Sequence, residues 1–120
     1  MYMTLLHAPP ITERKRIPQR TIDAVVRRIV ENFQPQKIIL FGSYALGTPR
    51  PESDVDLLIV MRNEEKKRKS LEIRRALNVN FGLDLVVYSP EQLHQRIELG
   101  DSFLKEIVQQ GKVVYESPDA

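Results

Sequence analysis

Residues 38–60 have the sequence IILFGSYALGTPRPESDVDLLIV, and they decide which fold the chain adopts. The β-branched and apolar run at the start predicts a strand that Gly42 stops. Ser43 is then the expected N-cap of a short helical turn ending near Gly47. The prolines and polar residues that follow predict a loop, which returns the chain to a second strand beginning at Asp54.

Two features of this stretch indicate a phosphate-binding site beside a metal site. Backbone N–H groups at the start of a helical turn attract anions, and Gly42 lets the backbone approach a phosphate closely. Ser43 adds a hydroxyl group. Side chains alternate along a strand, so Asp54 and Asp56 are expected on the same face. Carboxylates placed this close repel unless a cation neutralises them, and hard oxygen ligands suit magnesium.

The spacing of these residues resembles a known signature. Gly42 and Ser43, then ten residues, then Asp54 and Asp56 are similar to the motif of the DNA-polymerase-β-like nucleotidyltransferases. Within that superfamily, the chain resembles the minimal nucleotidyltransferases. The resemblance covers roughly residues 20 to 116, and the combined motif is far more specific than either half alone.

The resemblance implies a set of functional residues. A third metal-binding acid is expected at the start of a later strand, where Asp84 stands, so that three catalytic acids would hold a pair of magnesium ions. The glycine and serine would hold the terminal phosphates of ATP. Leu46 occupies a place where many relatives have Arg, which leaves Arg50 on the loop as a candidate cation for the triphosphate. Tyr44 can either stack on a base or pack into the core.

The resemblance also implies a reaction. A nucleoside monophosphate, with ATP as the expected donor, would pass to a hydroxyl group and release pyrophosphate. The genes of minimal nucleotidyltransferases often neighbour the gene of a helical toxin of the HEPN type. The implied acceptor is such a partner, and the chain is implied to be its antitoxin. A homo- or hetero-oligomer is expected. Two alternatives stay open: a non-catalytic module that only binds a nucleotide or the partner, and nucleotidylation of RNA or a small molecule.

The composition fits one ordinary globular domain. The chain has 120 residues, of which 42% are hydrophobic and 28% are charged. A net charge of +2 is well short of a dedicated nucleic-acid-binding protein, so nucleic acid is possible but not indicated as a ligand. The absence of Cys excludes a disulfide framework and agrees with a reducing cytoplasm. No run suits a signal peptide or a membrane span, so we expect a cytoplasmic protein with no membrane partner.

Outside residues 38–60 the pattern alternates between helices and short strands. Residues 1–19 contain three prolines and no sustained periodicity, which predicts an N-terminal arm or an irregular lead-in to the domain. Apolar residues at helical spacing from Gln19 to Gln34 predict a helix that covers the sheet. A second helix is expected over residues 63–80, with Asn63 as its N-cap and Gly82 as its stop.

The last third of the chain continues this alternation. A strand is expected from Asp84, a capping box at Ser89 opens a helix, and Asp101 caps a final one. The residues that this final helix is predicted to bury are Phe103, Leu104, Ile107 and Val108. A strand over 112–116 closes the domain and leaves 117–120 as a tail. The elements and the resemblance together predict an α/β (α+β) domain over residues 20–116, with the small mixed sheet and flanking helices of the polymerase-β-like palm.

Overall fold

The computed structural model describes residues 4–62 and 66–118, apart from the side chains of 66–68. A 3-10 turn over Ile11–Glu13 precedes the regular elements. In chain order these are α1 (Gln19–Phe33), β1 (Lys37–Phe41), α2 (Ser43–Leu46), β2 (Val55–Val60), α3 (Lys66–Leu77), β3 (Leu83–Tyr88), α4 (Pro90–Glu98), α5 (Ser102–Gln110) and β4 (Lys112–Glu116).

The four strands form one mixed sheet in the order β3-β2-β1-β4. Strand β1 runs antiparallel to both β2 and β4, whereas β2 and β3 are parallel. Because β2 and β3 run in the same direction, they begin at the same edge of the sheet, where Asp56 is paired in register with Asp84. The predicted mixed α/β class is confirmed, and the topology brings two acids together that are distant in sequence.

Each face of the sheet is covered by its own pair of helices. Side chains alternate along β2, so Leu57 packs in the core with α1 and α3, while Leu58 packs on the opposite face with Leu104 and Ile107 of α5. All four side chains are 3% exposed or less. The first core is the larger one, and the second lies beside the acids.

The caps of the C-terminal helices are confirmed. Ser89 accepts a hydrogen bond from the Gln92 N–H and completes a capping box, and Asp101 accepts one from the Leu104 N–H. The burial predicted for α5 is only half right. Phe103 and Val108 are 52% and 47% exposed, because they flank the stripe that packs on the sheet.

The prediction that Gly82 stops the second helix is wrong. Helix α3 ends at Leu77, and Asn78 takes the left-handed conformation with φ of +48°. Asn tolerates this region of φ better than most residues do. The predicted cap at Asn63 lies outside the described residues. No helix in the described part of the chain is both long and apolar enough to cross a membrane.

The N-terminal segment, defined here as residues 4–18, packs on the domain as an irregular segment. Ala8 and Ile17 are 2% and 0% exposed and belong to the larger core. Arg14 ties the segment to the loop before β2, since its guanidinium donates to the carbonyls of Pro9 and Pro51. At the other end, the Ser117 N–H donates to the Gln36 carbonyl, which holds the start of the predicted tail.

Candidate active site

Asp56 and Asp84 form a close pair of carboxylates. The two residues are register partners on β2 and β3, and their carboxyl groups lie within hydrogen-bonding reach of each other. Partial burial, together with the hydrogen bond and charge of Asp84 and the charge of Asp54, raises the pKa of Asp56 to about 7. The raised pKa shows that the charged form of Asp56 is disfavoured beside its neighbours, and a divalent metal would relieve this repulsion.

Gly42 lies directly against Asp56, the β2 member of this pair. Its φ of +73° and ψ of −155° are accessible essentially to glycine alone, and a Cβ at this position would overlap the carboxylate of Asp56. Gly42, and not Ser43 as predicted, is the N-cap of α2. Ser43 is the first helical residue, and no side-chain cap hydrogen bond forms at this end. The backbone of the glycine therefore approaches the acids more closely than any other residue would allow.

The acid pair and Gly42 share an open cavity of about 590 Å³, which we call the acid cavity. It lies between the sheet edge, α3 and α5. Three further side chains in its wall were not predicted from the sequence, and they are Arg74, Phe103 and Glu106. Phe103 contacts Phe41 edge to face, with ring centroids 5.8 Å apart. The periodicity of α5 had assigned Phe103 to the core, and nothing local distinguishes Arg74 from the adjacent Arg75.

Asp54 has a different position from its neighbour in the motif. It precedes β2 and is exposed, and its carboxylate lies where a Cβ on Gly82 would be. It lines a second cavity of about 600 Å³, the N-terminal cavity, together with Pro9, Arg14 and Asn80. Within residues 4–62 and 66–118, no three His, Asp or Glu side chains are gathered as a ready metal site. Asp54 is nevertheless close enough for its charge to raise the pKa of Asp56.

The other predicted nucleotide contacts lie outside the acid cavity. Tyr44 is only 4% exposed, its hydroxyl accepts a hydrogen bond of 2.9 Å from the Ile17 N–H, and the Arg16 guanidinium lies 4.9 Å from its ring centroid. Its ring is therefore a core element that cannot stack on a base. Arg50 is exposed on the loop, where its N–H donates to Ser53 Oγ, and it is not among the described residues that line the cavity.

Comparison with known proteins places this geometry in a family. Residues 22–115 match the model of the nucleotidyltransferase domain. The chain belongs to the nucleotidyltransferase family. It is similar to a Methanocaldococcus jannaschii protein named "putative protein adenylyltransferase MJ0604", with 35% identity over 80 residues that cover 67% of this chain and 78% of the relative. The predicted enzyme class, nucleotidyltransferase, is thereby confirmed.

Solved structures show the same nucleotidyltransferase fold. A crystal structure of a "putative nucleotidyltransferase" from Sulfolobus solfataricus has a TM-score of 0.56 and 17% identity, covering 79% of this chain and 77% of that one. A crystal structure of a toxin–antitoxin with AMP-PNP has a TM-score of 0.52 and 23% identity, covering 81% of this chain and 75% of that one. At these identities the likeness extends to the fold.

The acid pair of this nucleotidyltransferase domain suits a hard divalent cation. Asp56 and Asp84 offer carboxylate oxygens on adjacent strands, without the nitrogen or sulfur ligands that softer metals prefer. The glycine at position 42 leaves their oxygens accessible from the cavity. The carboxylates of Asp56 and Asp84 therefore fit magnesium, while Asp54 lies close enough for its charge to act on Asp56.

Proposed function

We propose that the chain is a magnesium-dependent nucleotidyltransferase that transfers AMP from ATP to a hydroxyl group of a partner protein. The observation that carries this proposal is the close approach of the Gly42 backbone to Asp56, whose register partner Asp84 lines the same open cavity. A backbone that close to one carboxylate of the pair brings a phosphate-binding turn and metal ligands into one cavity. The name of the Methanocaldococcus relative and the AMP-PNP in a structural neighbour support the donor and the reaction.

The proposed division of labour follows from where each group lies. Asp56 and Asp84 would hold magnesium from neighbouring strands, and Asp54 would serve as the third acid. When bound, the metal neutralises charge on the phosphates and lowers the pKa of the attacking hydroxyl. The Gly42 backbone positions the phosphates so that the acceptor oxygen meets the α-phosphorus in line. A new oxygen–phosphorus bond forms, the bond to the bridging oxygen breaks, pyrophosphate leaves, and the hydroxyl proton passes to solvent.

The proposed acceptor is a helical toxin of the HEPN type, for which this chain would act as antitoxin. The toxin–antitoxin composition of a structural neighbour supports a protein partner. The acid cavity is open to solvent along α5, where the half-exposed Phe103 borders it, so a side chain of a docked protein can reach the acids. We place the pair in the cytoplasm, in keeping with a chain that has no Cys.

One observation favours a second candidate function. Asp54 is directed toward Gly82 and the N-terminal cavity, and not into the acid cavity. A chain whose acids stay apart in this way would bind a nucleotide or a partner without transferring AMP. In that case it would be a non-catalytic antitoxin module that neutralises the toxin by contact alone.

The intact mass of the partner distinguishes the two candidates. The chain is incubated with the protein encoded by the adjacent gene, ATP and magnesium, and the partner is then weighed by mass spectrometry. The proposal predicts a gain of one AMP per modified hydroxyl, which disappears with Asp56→Asn. If the partner is neutralised with unchanged mass, and equally well by Asp56→Asn, the chain is a binding module.

A further inference from the structure

Arg74 is a cation in the acid cavity that has no partner among the described side chains. It lies in the last turn of α3 and is the only cationic residue among the described ones that line the cavity. Three carboxylates surround the same space, those of Asp56, Asp84 and Glu106. Among the side chains that the structure describes, those of residues 4–62 and 69–118, Arg74 makes no hydrogen bond or ion pair through its guanidinium. Its guanidinium is therefore available to a bound anion.

The backbone of Arg74 is held firmly although its side chain is exposed. Ile73 and Leu77 on the same helix are completely buried in the larger core. Ser70 on the same helix donates its hydroxyl to the carbonyl of Leu85 at 3.5 Å, which joins α3 to the strand that carries Asp84. A side chain on such an anchored helix loses little freedom of the backbone when it binds a ligand.

The acid cavity needs a cation to accept a triphosphate. A magnesium-bound triphosphate remains anionic, and the carboxylates in the wall repel it. Helix α2 supplies no positive side chain, because its exposed end carries Leu46, which is 61% exposed. Arg50 is not among the described lining residues. Arg74 is the remaining candidate, and a guanidinium binds phosphate oxygens in a two-pronged arrangement.

We propose that Arg74 binds the β- and γ-phosphates of the nucleotide from the α3 side of the acid cavity, whose wall also includes Gly42. The inference rests on the proposed function for its choice of a nucleoside triphosphate as ligand. It adds a phosphate-binding residue that lies outside the Gly-Ser and Asp-x-Asp motif. It also explains how the domain can hold a triphosphate with Leu46 on α2.

Calorimetric titration of the whole chain with ATP and with AMP, both in excess magnesium, tests this assignment. Arg74→Gln should weaken ATP binding about 10- to 100-fold and change AMP binding less than about threefold, because AMP lacks the two outer phosphates. Arg74→Lys should bind ATP more tightly than Arg74→Gln does but more weakly than wild type. It keeps the positive charge but loses the planar guanidinium that can donate two hydrogen bonds at once. Arg75→Gln is the matched control, because Arg75 is the exposed neighbour on the same turn and is not a described lining residue.

The outcomes separate this inference from the proposed function. Unchanged ATP affinity in Arg74→Gln would overturn the inference alone, as would an equal loss of ATP and AMP affinity. A wild-type chain that binds no ATP would overturn the inference together with the proposed function. If wild type binds ATP without modifying its partner, the loss in Arg74→Gln still supports Arg74 as a phosphate ligand. Thermal melts confirm that each variant is folded.

Discussion

The acid cavity and the N-terminal cavity lie on either side of one short segment, since Asp56 lines the first and Asp54 the second. The acid cavity is built from strand ends and anchored helices, so the register of β2 and β3 fixes its carboxylates. The N-terminal cavity is built from an irregular segment held by side-chain to backbone hydrogen bonds, such as those between Asn80 and the backbone of Ala8.

This difference shows where strand alternation applies and where it does not. Asp56 lies within β2, and its direction follows from the pleat. Asp54 lies just before the strand, where only the neighbouring contacts determine its direction, and Gly82 leaves room for its carboxylate. The direction of one acid of the motif is thus set by the sheet, and that of the other by its contact with Gly82.

The largest effect is expected from Gly42→Ala, which should disable the acid cavity and leave the N-terminal cavity intact. The added Cβ would overlap the Asp56 carboxylate, and the backbone conformation itself disfavours Ala by about 1–3 kcal/mol. We expect AMP transfer to fall at least about 100-fold, since a misplaced phosphate loses in-line geometry. Initial rates of labelled-AMP transfer to the partner measure this loss.

Gly47→Ala is the control for the backbone effect. Gly47 also has a positive φ, of +78°, but nothing lies within 4 Å of the position that a Cβ would take there. Gly47→Ala should lower the free energy of unfolding by about 1 kcal/mol and leave the rate of AMP transfer unchanged. Equal rates in the two variants would show that close approach to Asp56 is unimportant.

Tyr44→Phe should affect the N-terminal segment and not the acid cavity, because it loosens the attachment of that segment to the domain. The substitution removes the hydroxyl that accepts the Ile17 N–H in a buried setting. We expect a loss of about 1–2 kcal/mol in the free energy of unfolding, measured with urea, because a buried donor is left unpaired. The affinity for ATP should stay within about twofold of wild type. A large drop in ATP affinity with unchanged stability would instead show that Tyr44 contacts the nucleotide.

A smaller effect is the pH dependence of stability in the absence of metal. The pKa of Asp56 is raised to about 7, chiefly by burial and then by Asp84, so the folded chain binds a proton more tightly than the unfolded chain does. The contribution of Asp56 to the free energy of unfolding should therefore be greatest below about pH 4 and should fall as the pH rises toward 7. Since Asp56 is partly solvated, we expect this loss in the free energy of unfolding to be roughly 1 kcal/mol. Asp56→Asn should flatten this slope; an unchanged slope would assign it to other groups.

Much of the fold was predictable because its signals are local. The apolar period of α1, the capping box at Ser89 and the cap at Asp101 each specify an element without reference to the rest of the chain. The packing of the N-terminal segment was not predictable in this way. Its anchors, such as the bond between Ile17 and the Tyr44 hydroxyl, join residues that are 27 positions apart.

The candidate site likewise has a part that the local sequence predicts and a part that depends on how distant elements pack together. The spacing of Gly42 and Asp56 within one motif indicates their proximity, and the structure places them in contact. The contributions of Arg74 and Phe103 depend on how α3 and α5 pack against the sheet edge. Amphipathic periodicity predicts which side of a helix is buried, but not which exposed residues border a cavity.

The most direct test of the central claim, that the acid cavity holds a metal-bound triphosphate, is calorimetric titration of the wild-type chain with ATP in magnesium and in EDTA. Without the metal, the carboxylates of Asp56 and Asp84 repel the phosphates, so we predict at least about tenfold weaker binding in EDTA. Asp56→Asn, which removes one metal ligand, should lose most of the magnesium dependence. Equal affinity in magnesium and EDTA, with Asp56→Asn indistinguishable from wild type, would contradict the claim.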